Sequence, residues 1–229
     1  MSLRYSLIRM IETSLGTRDR VLDAAERLFA ELGFAGTSVR RITSEAGADL
    51  GSVRYHFGSK AKLYRGVLER RLVPLCERRL SLLAEAQSGG GSAEERVERI
   101  VRAFVAPAFE LVGDPSYGPS WIRLIGWMRL EPHEYTEGIG GLFEETLACF
   151  VAAFRRALPE LPADELAHRL FFAVGAETNT LIDPNSLREL NQHFPTEAED
   201  PALAPSVVVA RLTRFITAGL LAPPTAPTD

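Results

Sequence analysis

The chain has 229 residues, of which 46% are hydrophobic and 24% are charged, and this composition excludes a disordered or fibrous protein. Its two cysteines, Cys76 and Cys149, are too few for a disulfide scaffold or a metal cluster. The net charge of −4 is unevenly distributed, because residues 1–80 carry 15 Lys and Arg against nine Asp and Glu, whereas the remainder carries 11 against 21. A basic first third indicates a segment that faces a polyanion.

The first three predicted helices lie within about forty residues. Apolar residues at helical spacing predict a helix that begins at Thr17, as its N-cap, and ends at Gly33. A short second helix is predicted over residues 37–46, with Gly47 as its stop. Asp49 then caps a third helix of about seven residues. Two short helices joined around one glycine are typical of a helix-turn-helix.

The rest of the chain also has helical periodicity, and no segment alternates in the manner of a strand. The predicted helices begin after Ser59, after a capping box at Ser92, at Trp121, near Gly138, at Ala163 and near Pro205. The helix from Ala163 is predicted to end at Asp183–Pro184–Asn185, followed by a polar loop. The sequence therefore predicts an all-α protein of about nine helices.

The third helix is too short to bury much apolar surface. It carries Leu50, Ser52, Arg54 and Tyr55, and a short exposed helix beside basic residues suits a major groove about 12 Å wide. Residues 33–42 (GFAGTSVRRI), Ala46–Gly47 and residues 51–60 (GSVRYHFGSK) resemble the DNA-binding domain of TetR/AcrR-type transcriptional repressors. The resemblance covers residues 17–67, where glycines, aromatics and capping residues agree in order and spacing.

The resemblance implies roles for named residues. It implies DNA contacts from Thr37, Ser38, Arg40, Leu50, Gly51, Ser52, Arg54, Tyr55, His56 and Lys60. Thr37 and Ser38 would hold a phosphate at a helix N-terminus, and Arg40 would reach a guanine edge. Arg54 departs from the family pattern, which most often has an aromatic there, and Asp49 departs from the commoner Ser or Thr cap. His56 could instead be a core histidine.

The family resemblance also implies a division of the chain. We expect an N-terminal extension over residues 1–16, a DNA-binding domain over 17–62, a helical ligand-binding and dimerisation domain over 63–221, and a disordered tail over 222–229. Candidate ligand residues are the aromatic, apolar and isolated polar side chains Phe104, Trp121, Arg123, Ile125, Met128, Phe143, Phe150, Phe171, Glu177 and Asn179. Most of the aromatic side chains in this set are expected to be ordinary core residues.

Further resemblances suggest the effector and the assembly. Residues 70–75 (RRLVPL), Arg79–Leu80 and residues 158–162 (LPELP) weakly resemble the branch of the family that senses fatty acids or acyl-CoA. The family also implies a homodimer through the last two long helices, over residues 163–182 and 205–221. A two-fold dimer reads two half-sites of a palindromic operator, which supplies the specificity that one short helix lacks.

The sequence thus predicts a repressor that leaves its operator when a small apolar effector binds the C-terminal domain. The alternative is a helical interaction module, or a protein that binds an apolar ligand but no DNA. We expect no enzyme, because catalytic motifs and ligand-spaced histidines are absent from the sequence, and we expect no metal or cofactor. No stretch approaches the roughly 18–20 uninterrupted apolar residues of a membrane span, and no secretory signal is evident, so we expect a cytoplasmic protein.

Overall fold

The computed structural model describes residues 2–131, 139–193 and 204–224, with side chains from residue 16 onward apart from those of Leu142 and Asn191. Within these ranges the chain forms ten α-helices and no strand, which confirms the predicted all-α fold. The helices are α1 (Ser2–Gly36), α2 (Val39–Ala46), α3 (Leu50–His56), α4 (Lys60–Ser88), α5 (Ala93–Val112), α6 (Gly118–Leu130), α7 (Gly140–Ala157), α8 (Ala163–Ile182), α9 (Pro184–Asn191) and α10 (Pro205–Leu221). The predicted disordered tail lies outside the described residues from position 225 onward.

The predicted start of the first helix at Thr17 is wrong. α1 begins at Ser2, and Thr17 lies inside it. The preceding segment contains no proline, and a single glycine such as Gly16 costs only about 1 kcal/mol relative to alanine within a helix. The predicted end at Gly33 is a true interruption, with φ 69° and ψ 179°, after which α1 continues to Gly36.

The helix α9 was not predicted. Asp183 ends α8, as expected, but its carboxylate also accepts the Ser186 amide at 3.1 Å and so caps a new helix. Pro184 occupies the first turn of α9, where its fixed φ suits a helix and its missing N–H costs nothing. The same Asp-Pro pair therefore both ends one helix and starts the next.

Residues up to Val73, together with Pro119–Gly140, form one compact unit. Most of its core is supplied by α1, α2, α3 and the first half of α4, through Val21, Leu22, Leu28, Phe29, Ile42, Val53, Leu63, Tyr64, Val67 and Leu68, and α6 adds Trp121 and Leu124. Burying each large apolar side chain contributes roughly 1.5–3 kcal/mol relative to leaving it exposed. Arg71 of α4 also donates two hydrogen bonds of 3.0 Å to the buried carboxylate of Glu26 on α1.

Residues Pro74–Gly118 and those from Gly141 onward form the second compact unit. α5 and α10 pack along each other and supply most of its core, through Val97, Ile100, Val101, Val105, Val209, Leu212, Ile216 and Leu220. The predicted capping box starts α5, because Ser92 Oγ accepts the Glu95 amide at 3.1 Å and Glu95 accepts the Ser92 amide at 2.7 Å. The chain passes between the units within α4 and on both sides of α6.

Candidate functional site

Two caps fix the turn between α2 and α3. α2 begins after Ser38, whose Oγ accepts the Arg41 amide at 3.2 Å, and ends at Gly47, which has φ 59° and ψ 40°. L-residues rarely adopt this left-handed backbone, so glycine permits the tight turn. α3 begins after Asp49, whose carboxylate accepts the Ser52 amide at 2.8 Å. The two helices and the turn are present as the sequence predicts.

α3 presents large side chains to solvent. Tyr55 is 81% exposed, Leu50 is 50% exposed, and Arg54 is also exposed. Within this fully described helix, Val53 is the buried residue that anchors it to the core. An exposed tyrosine and leucine beside an arginine suit contacts with base edges and phosphates in a groove.

The charge of the segment around α3 favours an anionic partner. Arg40 on α2 and Lys62 on α4 are exposed. The two acidic side chains between residues 37 and 60 are both engaged, because Glu45 pairs with Arg27 at 2.9 Å and Asp49 caps α3. The unusual cap at Asp49 therefore directs its charge at a helix N-terminus, where a carboxylate is stabilised.

Thr37 does not match its expected role. Its side chain is buried, and its hydroxyl donates to the Gly33 carbonyl at 2.8 Å, with the Leu28 carbonyl at 3.1 Å. A hydroxyl committed to internal carbonyls is not available to a phosphate. The neighbouring Ser38 is exposed, so of the two expected phosphate contacts it is the one that reaches solvent.

Three further predicted contact residues lie on or beside α3. A Cβ at the exposed Gly51 would stand 2.9 Å from the Asp49 carboxylate, so a larger residue would disturb the cap. Ser52 and His56 are half-buried, and the His56 ring lies 4.9 Å from the Tyr55 ring centroid. Phe57 is buried, in keeping with a core residue.

Lys60 opens α4 and is half-buried. Its ammonium group lies 4.2 Å from the centroid of the Phe34 ring, a cation–π contact. Burial lowers the pKa of Lys60, and the nearby Glu131 carboxylate partly opposes this effect. Lys60 is thus held by its aromatic neighbour at the start of α4.

α6 supplies a set of contacts to α1 and α4 that the sequence did not indicate. Trp127 Nε1 donates to the Ala30 carbonyl at 3.1 Å. The Glu131 carboxylate, at the end of α6, accepts the Phe34 amide with one oxygen and the Tyr64 hydroxyl, at 3.2 Å, with the other. The Phe34 amide follows the break in α1, so the carboxylate caps the resumed helix. We call Trp127 and Glu131 the α6 clamp.

An apolar cavity lies between α5, α7, α8 and α10 in the second unit. Its volume is about 30 Å³, and its walls include the predicted Phe104 and Phe150, whose rings meet edge to face at 5.2 Å. Leu147, on the same wall, is 50% exposed, and Val174 is 39% exposed. Small-molecule sites typically occupy about 300–1,000 Å³, so a bound effector requires this cavity to widen.

A buried ion pair adjoins the cavity wall. Arg79 on α4 donates from Nη2 to Glu177 on α8 at 2.8 Å, and both side chains are about 5% exposed. Arg79 Nε also donates to the Phe104 carbonyl at 2.9 Å, and its guanidinium carbon lies 3.9 Å from the centroid of the Phe104 ring. Burial raises the pKa of Glu177 to about 7, although Arg79 opposes this shift.

The remaining predicted ligand residues are not gathered around this cavity. Trp121, Arg123, Ile125 and Met128 belong to the first compact unit, where Arg123 is exposed and Trp121 is buried. In the second unit, Phe143 is half-buried, Asn179 is exposed, and Phe171 is 75% exposed. Only Phe104, Phe150 and Glu177 of the predicted set stand at or beside the cavity.

Aromatic side chains on α8 and α10 form an exposed apolar face. Phe171 is 75%, Phe172 64% and Phe215 69% exposed. Phe172 and Phe215 also line a groove between the two helices, together with Ile216 and Gly219. Exposed aromatic side chains grouped in this way are typical of interaction surfaces. We call these three phenylalanines the α8/α10 face.

No group of three or more His, Cys, Asp or Glu side chains in the described ranges could hold a metal ion. None of the described helices has the length and apolar character needed to cross a membrane.

Comparison with known proteins decides the family. Residues 102–219, just over half of the chain, match the family described as "Tetracyclin repressor-like, C-terminal domain". The chain belongs to the TetR family. Residues 21–67 match "Bacterial regulatory proteins, tetR family", so the two matches cover α3 and its surroundings as well as most of the second compact unit.

Curated relatives match this TetR-family chain in its N-terminal part. The transcriptional repressor AcnR of Corynebacterium efficiens is 40% identical over 50 residues, which are 22% of this chain and 27% of AcnR. The transcriptional repressor NicS of Pseudomonas putida is 42% identical over 53 residues, 23% of this chain and 25% of NicS. Each match spans only about a quarter of the relative's length.

Solved structures share the whole fold. FadR from Bacillus subtilis, determined in complex with stearoyl-CoA, aligns with a TM-score of 0.60 at 17% identity over 87% of this chain and 97% of its own. The fatty acid degradation regulator FadR from Bacillus halodurans aligns with a TM-score of 0.62 at 15% identity, over 90% of this chain and 96% of its own. At these identities the likeness establishes the fold.

Proposed function

We propose that the protein is a ligand-responsive transcriptional regulator of the cytoplasm, which represses transcription as a homodimer on a palindromic operator. A small apolar effector, a fatty acid or its CoA thioester, binds the second compact unit and releases the DNA. The family membership supports regulation by DNA binding. The observation that carries the proposal for this chain is α3, whose Leu50, Arg54 and Tyr55 are exposed to solvent.

The DNA contacts are tested by a salt-titrated shift assay with duplexes from the flanks of the protein's own coding region. Arg54→Ala and Tyr55→Ala should each weaken binding about tenfold or more, since one good base contact is worth about 1–3 kcal/mol. Loss of an Arg54 phosphate contact should also lower the salt slope by about one. Arg155→Ala, an exposed arginine of α7, is the matched control and should bind as the parent does.

If both α3 variants bind DNA as tightly as the parent does, α3 is not part of the DNA interface. Binding of no flanking duplex at low salt would contradict the regulator itself and favour a helical interaction module. The salt slope distinguishes DNA binding from a partner-helix groove, because only the former releases counterions from many phosphates.

The homodimer is proposed through the α8/α10 face. Three phenylalanines on two adjacent helices are each more than 60% exposed, and contact with a second copy of the chain would bury this apolar surface. The resulting two-fold dimer would hold two α3 helices at the distance between the half-sites of an operator. Phe215→Glu should convert the dimer to a monomer in sedimentation velocity, because a buried unpaired carboxylate opposes association. Leu130→Glu, at an 80% exposed position of α6, is the control; a dimer that survives Phe215→Glu would place the interface elsewhere.

The effector would act by favouring one of two states of the dimer. Its influence on DNA affinity is limited by the difference between its affinities for the two states. α4 and the α6 segment carry the chain between the units, and the α6 clamp ends on α1 and α4. In this proposal, widening of the cavity alters α4 and α6 and through them the spacing of the two α3 helices.

A further inference from the structure

The ion pair Arg79–Glu177 is unusual because it is almost fully buried beside a cavity with apolar walls. Such a pair is weak support for stability, since the desolvation of two charges offsets most of their attraction. Glu177 receives a single hydrogen bond from Arg79 Nη2, and Arg79 Nη1 takes part in neither bond described for this side chain. The arginine is thus not saturated by a bidentate carboxylate, which is its strongest partner.

The Phe104 ring links this ion pair to the cavity. The ring lines the cavity, and the Arg79 guanidinium stacks on it at 3.9 Å. The Phe104 ring therefore stands between the cavity and the guanidinium, and its displacement would open the cavity toward Arg79.

We propose that Arg79 and Glu177 form the polar end of the effector site, where the carboxylate of a long-chain fatty acid displaces Glu177 from Arg79. The inference rests on the proposed function and narrows its effector to a free acid. The aliphatic chain occupies the cavity beside Phe150, and the head group binds Arg79 through Nη1 and Nη2. Glu177 takes up one proton from solvent, so the buried site keeps its net charge.

The pKa of Glu177 supports this exchange. At about 7, it lies well above the pKa of an ordinary carboxylic acid, so protonation of Glu177 near neutral pH costs little free energy. A thioester or an alcohol carries no charge at this end of the chain, and it would leave the pair intact. The geometry therefore favours a carboxylate over its neutral analogues.

The test is a binding titration of the full-length protein with palmitate, hexadecanol and methyl palmitate at about pH 8, below their aggregation limits. Parental protein should bind palmitate about tenfold more tightly than either neutral probe, because of the charge-assisted bonds to Arg79. In the parent, palmitate binding at about pH 8 requires Glu177 to take up a proton one unit above its pKa, which lowers the affinity about tenfold. Glu177→Gln needs no such proton, so it should bind palmitate about tenfold more tightly than the parent does. Its affinity for hexadecanol should not change.

Two more variants complete the test. Arg79→Gln should reduce the preference for palmitate over hexadecanol to about one. Glu110→Gln, which breaks the exposed Arg78–Glu110 pair on α4 and α5, is the matched control and should bind all three probes as the parent does. Circular dichroism establishes that each variant is folded; because Glu177→Gln is isosteric, it carries the test if Arg79→Gln unfolds.

The inference is overturned if Glu177→Gln changes the affinities for all three probes equally, or changes none of them, since a purely structural ion pair predicts either result. It is also overturned if the parent binds no palmitate or does not prefer it. The DNA shift assay is independent of these titrations. Specific DNA binding without palmitate binding would leave the regulator proposal standing and remove only the fatty-acid site.

Discussion

The α6 clamp makes a quantitative prediction about the corner where α1 is interrupted. Glu131→Ala removes the acceptor of both the Phe34 amide and the Tyr64 hydroxyl. Tyr64 is 0% exposed, so its hydroxyl would be left buried without this partner. Leaving one such donor unpaired costs about 1–3 kcal/mol, and a central value of about 2 kcal/mol corresponds to an about 30-fold larger population of the locally open state.

Amide hydrogen exchange measures this opening directly. Peptides that cover residues 29–37 should exchange about 30-fold faster in Glu131→Ala than in the parent, if opening is in rapid equilibrium. Glu131→Gln should lie between them, because the amide oxygen still accepts one hydrogen bond but carries no charge. Glu98→Ala, an exposed carboxylate of α5 in the other unit, is the control.

Unchanged protection of these peptides in Glu131→Ala would refute the argument. It would mean that the carboxylate contacts contribute nothing measurable to the corner, and that α6 does not restrain α1. Faster exchange throughout the chain, including α10, would also contradict it, because the clamp joins only elements of the first compact unit.

Two other predictions concern single positions. Gly33→Ala places a Cβ 2.7 Å from the Glu131 carboxylate in a backbone with φ 69°. The substitution should cost about 1–2 kcal/mol of folding free energy and so lower the thermal midpoint by several degrees. Gly126→Ala, which adds a Cβ in open space on α6, is the control and should leave the midpoint unchanged. Glu177 has its pKa raised to about 7 from 4.5, so the native state holds the proton that the unfolded chain has lost. As pH rises from 4.5 to about 7, the free energy of unfolding of the parent should therefore fall by about 3 kcal/mol relative to that of Glu177→Gln. The measurement is urea denaturation of both proteins across this pH range. If the two free energies change in parallel, the pKa of Glu177 is not raised.

The helix-turn-helix was predictable because its determinants are local. Ser38, Gly47 and Asp49 each act on a backbone group within three residues, so the sequence contains the whole interaction. α9 was missed for a related reason. Asp183 and Pro184 are compatible with both a stop and a start, and only the Ser186 bonds to Asp183 show that the chain turns into a new helix.

The effector side and the clamp could not be derived in this way. Glu177 was a candidate from its position on an apolar helix, but its partner Arg79 lies 98 positions away. Arg79 does interrupt the apolar side of α4 between the buried Cys76 and Leu83, and that interruption was the available signal. Trp127 and Ala30 are 97 positions apart, and the residues around each of them give no sign that the two form a hydrogen bond.

The placement of α6 bears on how this protein can be cut and recombined. The match to the C-terminal domain family spans residues 102–219 and therefore includes α6. In the structure, however, α6 belongs to the same compact unit as α1 to α3. A fragment ending near Val73 would lose Trp127 and Glu131, and with Glu131 the carboxylate that accepts the Phe34 amide after the break at Gly33. A chimera that joins these N-terminal helices to a foreign sensor should therefore retain α6 from this chain, or supply its own tryptophan and carboxylate at matching positions.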